Sequence, residues 1–275
     1  MSSNVIDLHW MGRPRLIGSW RVDDVLIDCG PATTLPTLLE ALGDWRPRAI
    51  LLTHIHFDHA GAVGALFERW PEVEVIVHRA GARHLIDPSR LWASARRVFG
   101  DELEHRFGEM RPVPAERVRA LDGGERIAGF EVAATPGHAV HHLAYLHAAS
   151  GRAFVGDVCG VVLDGGPVLP PTPPPDVALE DWQASLALVA AWAPVDLALS
   201  HYGLVETPVA HVAAVAAALD EQERAALDGE DAYVRYVRAS LAEACTPAQV
   251  DDYGLVVPFV QNYRGLRRAL DTAAA

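Results

Sequence analysis

The sequence predicts an α/β protein, and three features of the chain support this prediction. Residues 49–52 form a short, continuous apolar run typical of a buried strand, and residues 60–69 continue at helical spacing. Short strand patterns separated by turn residues recur on both sides of position 110. The last ~70 residues carry helical patterns, so we expect a helical extension after a mixed α/β domain.

The first series of strands opens the chain and comprises residues 5–8, 16–20 and 25–30. Its loops are too short for helical crossovers, which predicts antiparallel pairing. Residues 33–42 follow with leucines at helical spacing, typical of a helix. Asp28 ends the third strand and has two interpretations, a turn former or a hydrogen-bond partner of the histidine-rich loop after the fourth strand.

Residues 89–110 have the pattern of an amphipathic helix, after a strand at residues 73–77 and a short helix at residues 80–86. Its apolar face comprises Trp92, Phe99, Leu103 and Phe107. Two interpretations stay open at this stage. The helix either packs on the core in the ordinary way, or forms a lid that offers Arg96 or Arg97 to an anionic substrate.

The second series of strands comprises residues 117–121, 125–127, 130–134, 143–147 and 153–156. Residues 165–175 contain six prolines, which excludes helix and sheet interior and predicts a stiff, extended loop beside the active site. A proline-rich ligand for a partner domain is the alternative. A helix at residues 179–191 and a strand at residues 195–200 follow.

The C-terminal part is predicted to be helical, with helices at residues 208–218, 233–243 and 257–270. We therefore predict two domains. The first covers residues 1–205 and carries the strands, and the second is an α-helical extension of residues 206–275. No internal repeat of about 20–50 residues is visible.

The composition is that of a globular protein with a strong negative charge. Half of the residues are hydrophobic, 21% are charged, and the formal net charge is −13. This charge argues against nucleic acid and anionic membranes as partners, so we expect a small-molecule substrate. The chain contains no lysine, which excludes lysine Schiff-base chemistry. We expect no membrane-spanning helix, because no apolar stretch reaches about 18 residues.

The cysteines and the first residues predict a cytoplasmic protein. Cys29, Cys159 and Cys245 are few, odd in number and without close spacing, which favours a reducing compartment. Residues 1–10 lack the basic start and apolar stretch typical of a secretory signal. The oligomeric state stays open.

Four metal-binding side chains occur within six positions directly after the buried run at residues 49–52, namely His54, His56, Asp58 and His59. On a regular strand His59 would point away from the other three, but a strand-to-helix loop lets all four converge. Imidazole and carboxylate ligands suit zinc, and iron or manganese are also possible. His138, Asp157 and His201 follow later strands, where side chains distant in sequence can meet at one sheet edge.

These motifs together resemble the metallo-β-lactamase-fold superfamily, and within it the glyoxalase II (hydroxyacylglutathione hydrolase) group. The resemblance rests on Thr53-His54-x-His56-x-Asp58-His59, Thr135-Pro136-Gly137-His138, Gly156-Asp157 and Ser200-His201. It implies an αββα sandwich of two mixed β-sheets flanked by helices, with two metal ions at the edge between the sheets. By this resemblance one ion is held by His54, His56 and His138, the second by Asp58, His59 and His201, and Asp157 bridges both.

The resemblance implies a dinuclear metal-dependent hydrolase of a small ester, thioester or lactone. A water held between two divalent ions loses a proton near neutral pH, and the resulting metal-bridging hydroxide attacks the substrate. Asp58 is the expected catalytic residue, because it would orient this hydroxide. Tyr202 is a candidate donor to a developing oxyanion, His141 or His142 could support His138, and Cys159 is expected to be a structural thiol.

Three alternatives stay open. A mononuclear iron oxygenase resembling the persulfide dioxygenases would use two histidines and a carboxylate, a phosphodiesterase would use the same two-metal set, and a metal-stabilised binding module would have no turnover. One difference from glyoxalase II limits the assignment of the substrate. Glyoxalase II contacts glutathione carboxylates with basic groups that are not matched by type in a chain without lysine, although Arg264, Arg267 and Arg268 offer anion contacts.

Overall fold

The computed structural model describes residues 4–273 and shows an α/β chain with two mixed β-sheets. The α/β class predicted from the sequence is therefore confirmed. The chain divides after Ala134 into two compact units, called unit 1 and unit 2 below. Residues 1–3, which begin the segment predicted to lack a secretory signal, lie outside the described residues. None of the helices within residues 4–273 has the length and apolar character needed to cross a membrane.

Unit 1 is built on a six-stranded mixed sheet whose strands follow one another in sequence order. They are β1 (Asn4–Asp7), β2 (Gly18–Val22), β3 (Val25–Ile27), β4 (Ala49–Leu51), β5 (Glu74–His78) and β6 (Val118–Leu121). The first two pairings are antiparallel, as predicted, and the pairings from β3 to β6 are parallel. A further antiparallel hairpin consists of β7 (Arg126–Ile127) and β8 (Phe130–Ala134).

β4 is the strand that leads into the histidine-rich loop. It lies between the parallel strands β3 and β5, and its residues and the following Leu52 are fully buried. A strand covered on both faces has no solvent side, so it needs the continuous apolar run that the sequence shows. The loop therefore starts from a fixed point in the centre of this sheet.

The helices of unit 1 are α1 (Leu35–Leu42), α2 (Phe57–Ala60), α3 (Val63–Arg69), α4 (Arg79–Ile86), α5 (Ser89–Phe99) and α6 (Glu102–Phe107). The prediction of one continuous helix over residues 89–110 is wrong, because α5 ends at Phe99. Gly100 follows with a φ of 57°, a left-handed conformation that ends helices and that glycine adopts at little cost. α6 buries Leu103 and Phe107, whereas α5 buries only Ala95.

In unit 2 four strands lie in the order β12, β11, β10, β9, with β10 and β11 parallel and the other neighbours antiparallel. The strands are β9 (Leu143–His147), β10 (Arg152–Gly156), β11 (Asp196–Leu199) and β12 (Gly203–Val205). The helices are α7 (Leu179–Ala191), α8 (Pro208–Ala226), α9 (Glu230–Ala242), α10 (Pro247–Val256) and α11 (Phe259–Ala273). The predicted C-terminal helices are confirmed, and whether they form a domain separate from residues 1–205 stays a prediction.

The helical extension shares its core with the strands of unit 2. Val212, Val215 and Leu219 of α8 belong to the same buried cluster as Trp182 of α7 and Leu197 of β11. Such a shared apolar core means that α8 cannot be removed without exposing the β10–β11 region to water.

Candidate metal centre

The histidine-rich loop of unit 1 brings four predicted ligands together. His54 Nε2 lies 2.9 Å from His56 Nδ1, and the ring centroids of His54 and His59 are 4.0 Å apart. His59 Nε2 lies 3.8 Å from Asp58 Oδ2. His54 and His59 are fully buried, whereas the Asp58 side chain is 21% exposed. The loop therefore gathers three imidazoles and one partly accessible carboxylate.

Asp28 anchors this loop from the end of β3, in agreement with the second of its two interpretations. Its Oδ1 accepts the Thr53 N–H at 2.8 Å, and its Oδ2 accepts both the Thr53 hydroxyl and the His59 Nδ1–H at 2.8 Å. The backbone adds to this connection, because the N–H groups of Cys29 and Gly30 donate to the His59 carbonyl at 2.8 and 3.1 Å.

The partners of Asp28 determine where the loop histidines carry their protons. The Thr53 hydroxyl gives its hydrogen to Asp28, so it can only accept from His54 Nδ1, which lies 3.1 Å away. The Asp28 carboxylate can likewise only accept from His59 Nδ1. A neutral imidazole protonated on Nδ1 has its lone pair on Nε2, so Nε2 of His54 and of His59 is available to a metal.

His138 is held in unit 2 by the turn at residues 135–137 and by the proline-rich loop. α7 fixes the turn, because Ser185 Oγ donates to the Pro136 carbonyl at 2.6 Å. His138 Nδ1 donates to the Pro171 carbonyl at 2.7 Å, and a carbonyl can only accept. The lone pair of His138 is therefore on Nε2, which lies 3.4 Å from Asp157 Oδ2.

Asp157 follows β10 and has a histidine at each carboxylate oxygen. Oδ2 faces His138, and Oδ1 lies 3.6 Å from His201 Nε2 at the end of β11. All three residues are buried. The Asp157 N–H donates to His142 Nε2 at 3.1 Å, and His142 Nδ1 lies 2.7 Å from the Thr135 hydroxyl. His142 is one of the two histidines predicted to support His138, but its Nε2 accepts a hydrogen bond from Asp157 instead.

The donor atoms in each unit fit a divalent cation. In unit 2 the lone pair of His138 Nε2 faces a buried carboxylate oxygen without a hydrogen between them, and two such acceptors repel each other. A cation between them turns this repulsion into attraction. Nitrogen and carboxylate donors without thiolate suit zinc, iron or manganese. The histidine and aspartate clusters are therefore suited to metal binding.

Two buried thiols, Cys29 and Cys159, lie near these residues in sequence. Burial raises the pKa of Cys29 well above its usual value, and the neighbouring Asp28 carboxylate raises it further. Burial also raises the pKa of Cys159. A raised pKa disfavours the thiolate, which is the nucleophilic form of cysteine. This supports the structural interpretation of Cys159.

One known protein family matches a segment of this chain that contains both sets of candidate donors. The model of the metallo-β-lactamase superfamily matches residues 23–201, more than half of the chain. The chain belongs to the metallo-β-lactamase superfamily. The matched segment starts before Asp28 and ends at His201, so it contains all seven predicted ligands.

Relatives and solved structures agree with this membership. Hydroxyacylglutathione hydrolase of Pseudomonas paraeruginosa is 34% identical over 152 residues, which are 52% of this chain and 46% of the relative. The chain thus spans just under half of the length of that enzyme. An archaeal metallo-β-lactamase superfamily protein from Sulfolobus tokodaii superposes with a TM-score of 0.72 at 23% identity, covering 97% of this chain and 98% of that chain.

That superposition shows that this superfamily member has the metallo-β-lactamase fold, with additional C-terminal helices. A second solved structure, of a protein in a di-iron-bound form, has a TM-score of 0.50 at 28% identity and covers 74% of this chain and 90% of that chain. The metal in that structure is iron. The donor set of the present chain is compatible with iron and with zinc alike.

The sequence indicates the seven candidate donors and the possible role of Asp28, but not the threonine hydroxyls and the backbone carbonyl that also hold the histidines. The Thr53 and Thr135 hydroxyls directly precede or begin the histidine motifs, and their position is a signal that could have been used. The Pro171 carbonyl gives no such signal, because every residue has a carbonyl and only the folded loop selects one of them. The role of Tyr202 stays a prediction.

Proposed function

We propose that the chain is a metal-dependent hydrolase of a small ester, thioester or lactone, with two divalent ions held by the candidate histidine and aspartate ligands. The observation that carries this proposal is the proton arrangement of the histidines. His54, His59 and His138 each have their Nδ1 proton bound by an acceptor, which leaves Nε2 for a metal. Superfamily membership supports the hydrolase class.

The proposed ligand sets follow the family resemblance. They are His54, His56 and His138 for one ion, and Asp58, His59 and His201 for the other, with Asp157 shared. The two oxygens of Asp157 support its shared role, because each faces a different histidine at 3.4 or 3.6 Å. We propose zinc for both positions, with iron or manganese as the alternatives.

Asp58 is the proposed catalytic carboxylate. Bound divalent ions supply Lewis acidity that lowers the pKa of water to about 7. The Asp58 side chain is 21% exposed, compared with 2% for Asp28 and 5% for Asp157. It is the one of these three carboxylates that can reach water and substrate, so its Oδ atoms can accept the proton of the attacking water. No protein nucleophile is needed, in agreement with the raised pKa of the buried thiols.

The substrate class is proposed from the relatives and limited by the charges. The hydroxyacylglutathione hydrolase relatives favour a thioester. The C-terminal arginines predicted to contact anions already have partners, however. Arg264 lies 3.5 Å from Glu230, Arg267 pairs with Asp271, and Arg268 donates to the Pro175 carbonyl. We therefore propose a small, weakly anionic ester or lactone as an equal candidate to a glutathione thioester, in a cytoplasmic setting.

The test combines elemental analysis with a panel of substrates. Protein purified without added metal should contain close to two zinc ions, or zinc and iron, per chain, and should hydrolyse a thioester or a lactone. His56→Ala and Asp157→Ala should remove metal and lower turnover more than about 100-fold while the fold is retained. His105→Ala, which changes an exposed histidine of α6, is the control and should keep both.

Three outcomes would contradict the proposal. Wild-type turnover in His56→Ala or Asp157→Ala would remove these residues from the site. Inactivity against esters, thioesters, lactones and phosphodiesters would instead favour a binding module. One iron per chain together with oxygen consumption would favour the mononuclear oxygenase class.

A further inference from the structure

One peptide group of the proline-rich loop connects the C-terminal helices with His138 inside unit 2. This group joins Pro171 and Thr172. The Pro171 carbonyl accepts from His138 Nδ1 at 2.7 Å, and the Thr172 N–H donates to Asn262 Oδ1 at 2.8 Å. Because a peptide group is planar, fixing the direction of its N–H also fixes the direction of its carbonyl. Asn262 of α11 thereby orients the acceptor of His138.

Asn262 makes two further contacts with the same loop. Its Nδ2 donates to the Pro170 carbonyl at 3.1 Å, and its backbone carbonyl accepts the Thr172 hydroxyl at 3.1 Å. Gln222 of α8 also donates to the Pro170 carbonyl, at 3.4 Å, and accepts the Tyr233 hydroxyl of α9 at 2.5 Å. Asn262 and Thr172 are only 2% and 0% exposed, so water does not compete for these hydrogen bonds.

The backbone of α11 is shaped for this contact. A Cβ atom at Gly265 would lie 1.9 Å from the Thr172 carbonyl oxygen, so a side chain there would push the loop away from the helix. Glycine lets the two backbones touch one turn after Asn262. Two residues of α11 therefore fix the position of the loop: Asn262 through its side-chain amide, and Gly265 because it has no side chain.

We propose that Asn262 is a positioning residue that holds His138 in its Nδ1-protonated tautomer through the Pro171–Thr172 peptide group. A peptide whose N–H is hydrogen-bonded is polarised, and its carbonyl becomes a stronger acceptor. This carbonyl keeps the proton on Nδ1 and leaves the lone pair on Nε2. The inference rests on the proposed function, in which His138 Nε2 binds a metal ion, and it gives the helical extension a role in that site.

Two measurements test this role, and one of them needs no metal. The first is the ¹⁵N chemical shifts of the His138 ring in metal-free protein, which report the tautomer. The second is zinc affinity by chelator competition. Asn262→Leu removes the side-chain hydrogen bonds to the loop and the 3.5 Å one to Gln222 at similar volume, and Asn262→Asp keeps an acceptor for the Thr172 N–H. Gln261→Leu makes the same type of change at the neighbouring, half-buried position and is the control.

We expect Asn262→Leu to give a mixture of His138 tautomers and to weaken zinc binding about tenfold. Asn262→Asp and Gln261→Leu should keep the Nδ1-protonated form. A wild-type tautomer in folded Asn262→Leu would overturn the inference. If Asn262→Leu does not fold, Asn262→Asp decides, because loss of the Nδ1-protonated form there overturns it and retention supports it.

The failure of the proposed function is distinguishable from the failure of this inference. Zinc binding that is unchanged in His138→Ala would show that His138 is not a ligand. The tautomer measurement on metal-free protein would still show whether Asn262 controls the His138 proton. A wild-type tautomer in Asn262→Leu, with zinc binding abolished in His138→Ala, would overturn the inference alone.

Discussion

Asp28 is the residue on which the hydrogen bonds of the histidine-rich loop converge. In Asp28→Asn an NH₂ group replaces one oxygen and must face either the Thr53 N–H or the hydrogen on His59 Nδ1, both of which need an acceptor. We expect a loss of about 1–3 kcal/mol in the free energy of unfolding and a 10–100-fold weaker metal affinity. Urea denaturation and chelator competition measure the two effects.

The control for this variant is Asp24→Asn. Asp24 pairs with Arg48 at 2.6 Å, but both side chains are more than half exposed, so the pair is screened by water. We expect a change of less than about 0.5 kcal/mol and an unchanged metal affinity. Equal effects of the two substitutions would show that Asp28 has no special role in the loop.

His211 of α8 makes the stability of the chain depend on pH. Its Nε2–H donates to the Cys159 carbonyl at 2.8 Å, and burial lowers its pKa more than this hydrogen bond raises it. As pH falls through about 6.5, the unfolded chain takes up a proton before folded His211 does. The contribution of His211 is therefore present above about pH 6.5 and is lost as pH falls toward its lower folded pKa.

His211→Gln keeps a donor for the Cys159 carbonyl but does not titrate. We expect its free energy of unfolding to fall less than that of the wild type between about pH 7.5 and pH 5 in metal-free protein. Urea denaturation at both pH values measures the difference. His105→Gln, at an exposed position, is the comparison, and the same pH dependence in all three proteins would exclude the assigned role of His211.

The candidate ligands of the site could be predicted from the sequence more completely than the groups that hold them. Seven candidate donors could be named from the sequence, because metal chemistry restricts ligands to a few residue types and the loop concentrates four of them after one strand. Their role as ligands stays a prediction. The hydrogen-bond partners could be predicted only in part. The hydrogen bond from the loop to Asp28 was one of two interpretations of that residue. The orientation of the Pro171–Thr172 peptide group could not be predicted, because it depends on a contact between Thr172 and Asn262, 90 positions away.

Among the elements of unit 1, α5 is the one whose role was left open between ordinary packing and a lid. Trp92 packs edge-to-face on Phe57 with ring centroids 5.6 Å apart, and Phe57 lies between His56 and Asp58 in sequence. We expect Trp92→Ala to lower the free energy of unfolding by about 2 kcal/mol, because it removes a half-buried aromatic contact. Urea denaturation and hydrogen exchange of residues 89–107 measure this loosening.

Val98→Ala on the same helix is the matched control. Val98 is 37% exposed, and we expect a change within about 0.5 kcal/mol. If Trp92→Ala leaves stability unchanged and raises the KM for substrate instead, α5 is a lid and the packing interpretation is wrong. Arg96 and Arg97 are both exposed, so their contact with a substrate stays a prediction.

Elements with a strong pattern were predicted from the sequence, and those defined by local turns were not. The apolar run of residues 49–52 correctly predicted that β4 is buried. The helix predicted over residues 89–110 is instead two helices, because Gly100 has a positive φ and ends the first of them. α10 was missed although Thr246 and Gln249 form a capping box, in which each side chain accepts the other's backbone N–H. β12 has three residues and follows β11 within a few positions, too short for a pattern.

Metal binding couples the candidate site to the stability of the whole molecule. Buried donors that face one another without a hydrogen between them stabilise the folded chain only when a cation is bound, so binding should favour the native state. At a free zinc concentration of 100 times the dissociation constant, the gain is about 2.7 kcal/mol, or roughly 5–10 °C in Tm for a chain of this size. Chelator treatment should reverse this shift.

Trp182 provides a local signal for the same experiment. Its buried ring lies 5.7 Å from the His138 ring in an edge-to-face arrangement, so its fluorescence should respond to a metal on His138. Wild type should show a Tm that rises with zinc and a matching fluorescence change, and His138→Ala should lose most of both. A Tm that is independent of zinc in the wild type, or equally dependent in His138→Ala, would mean that binding does not use these donors.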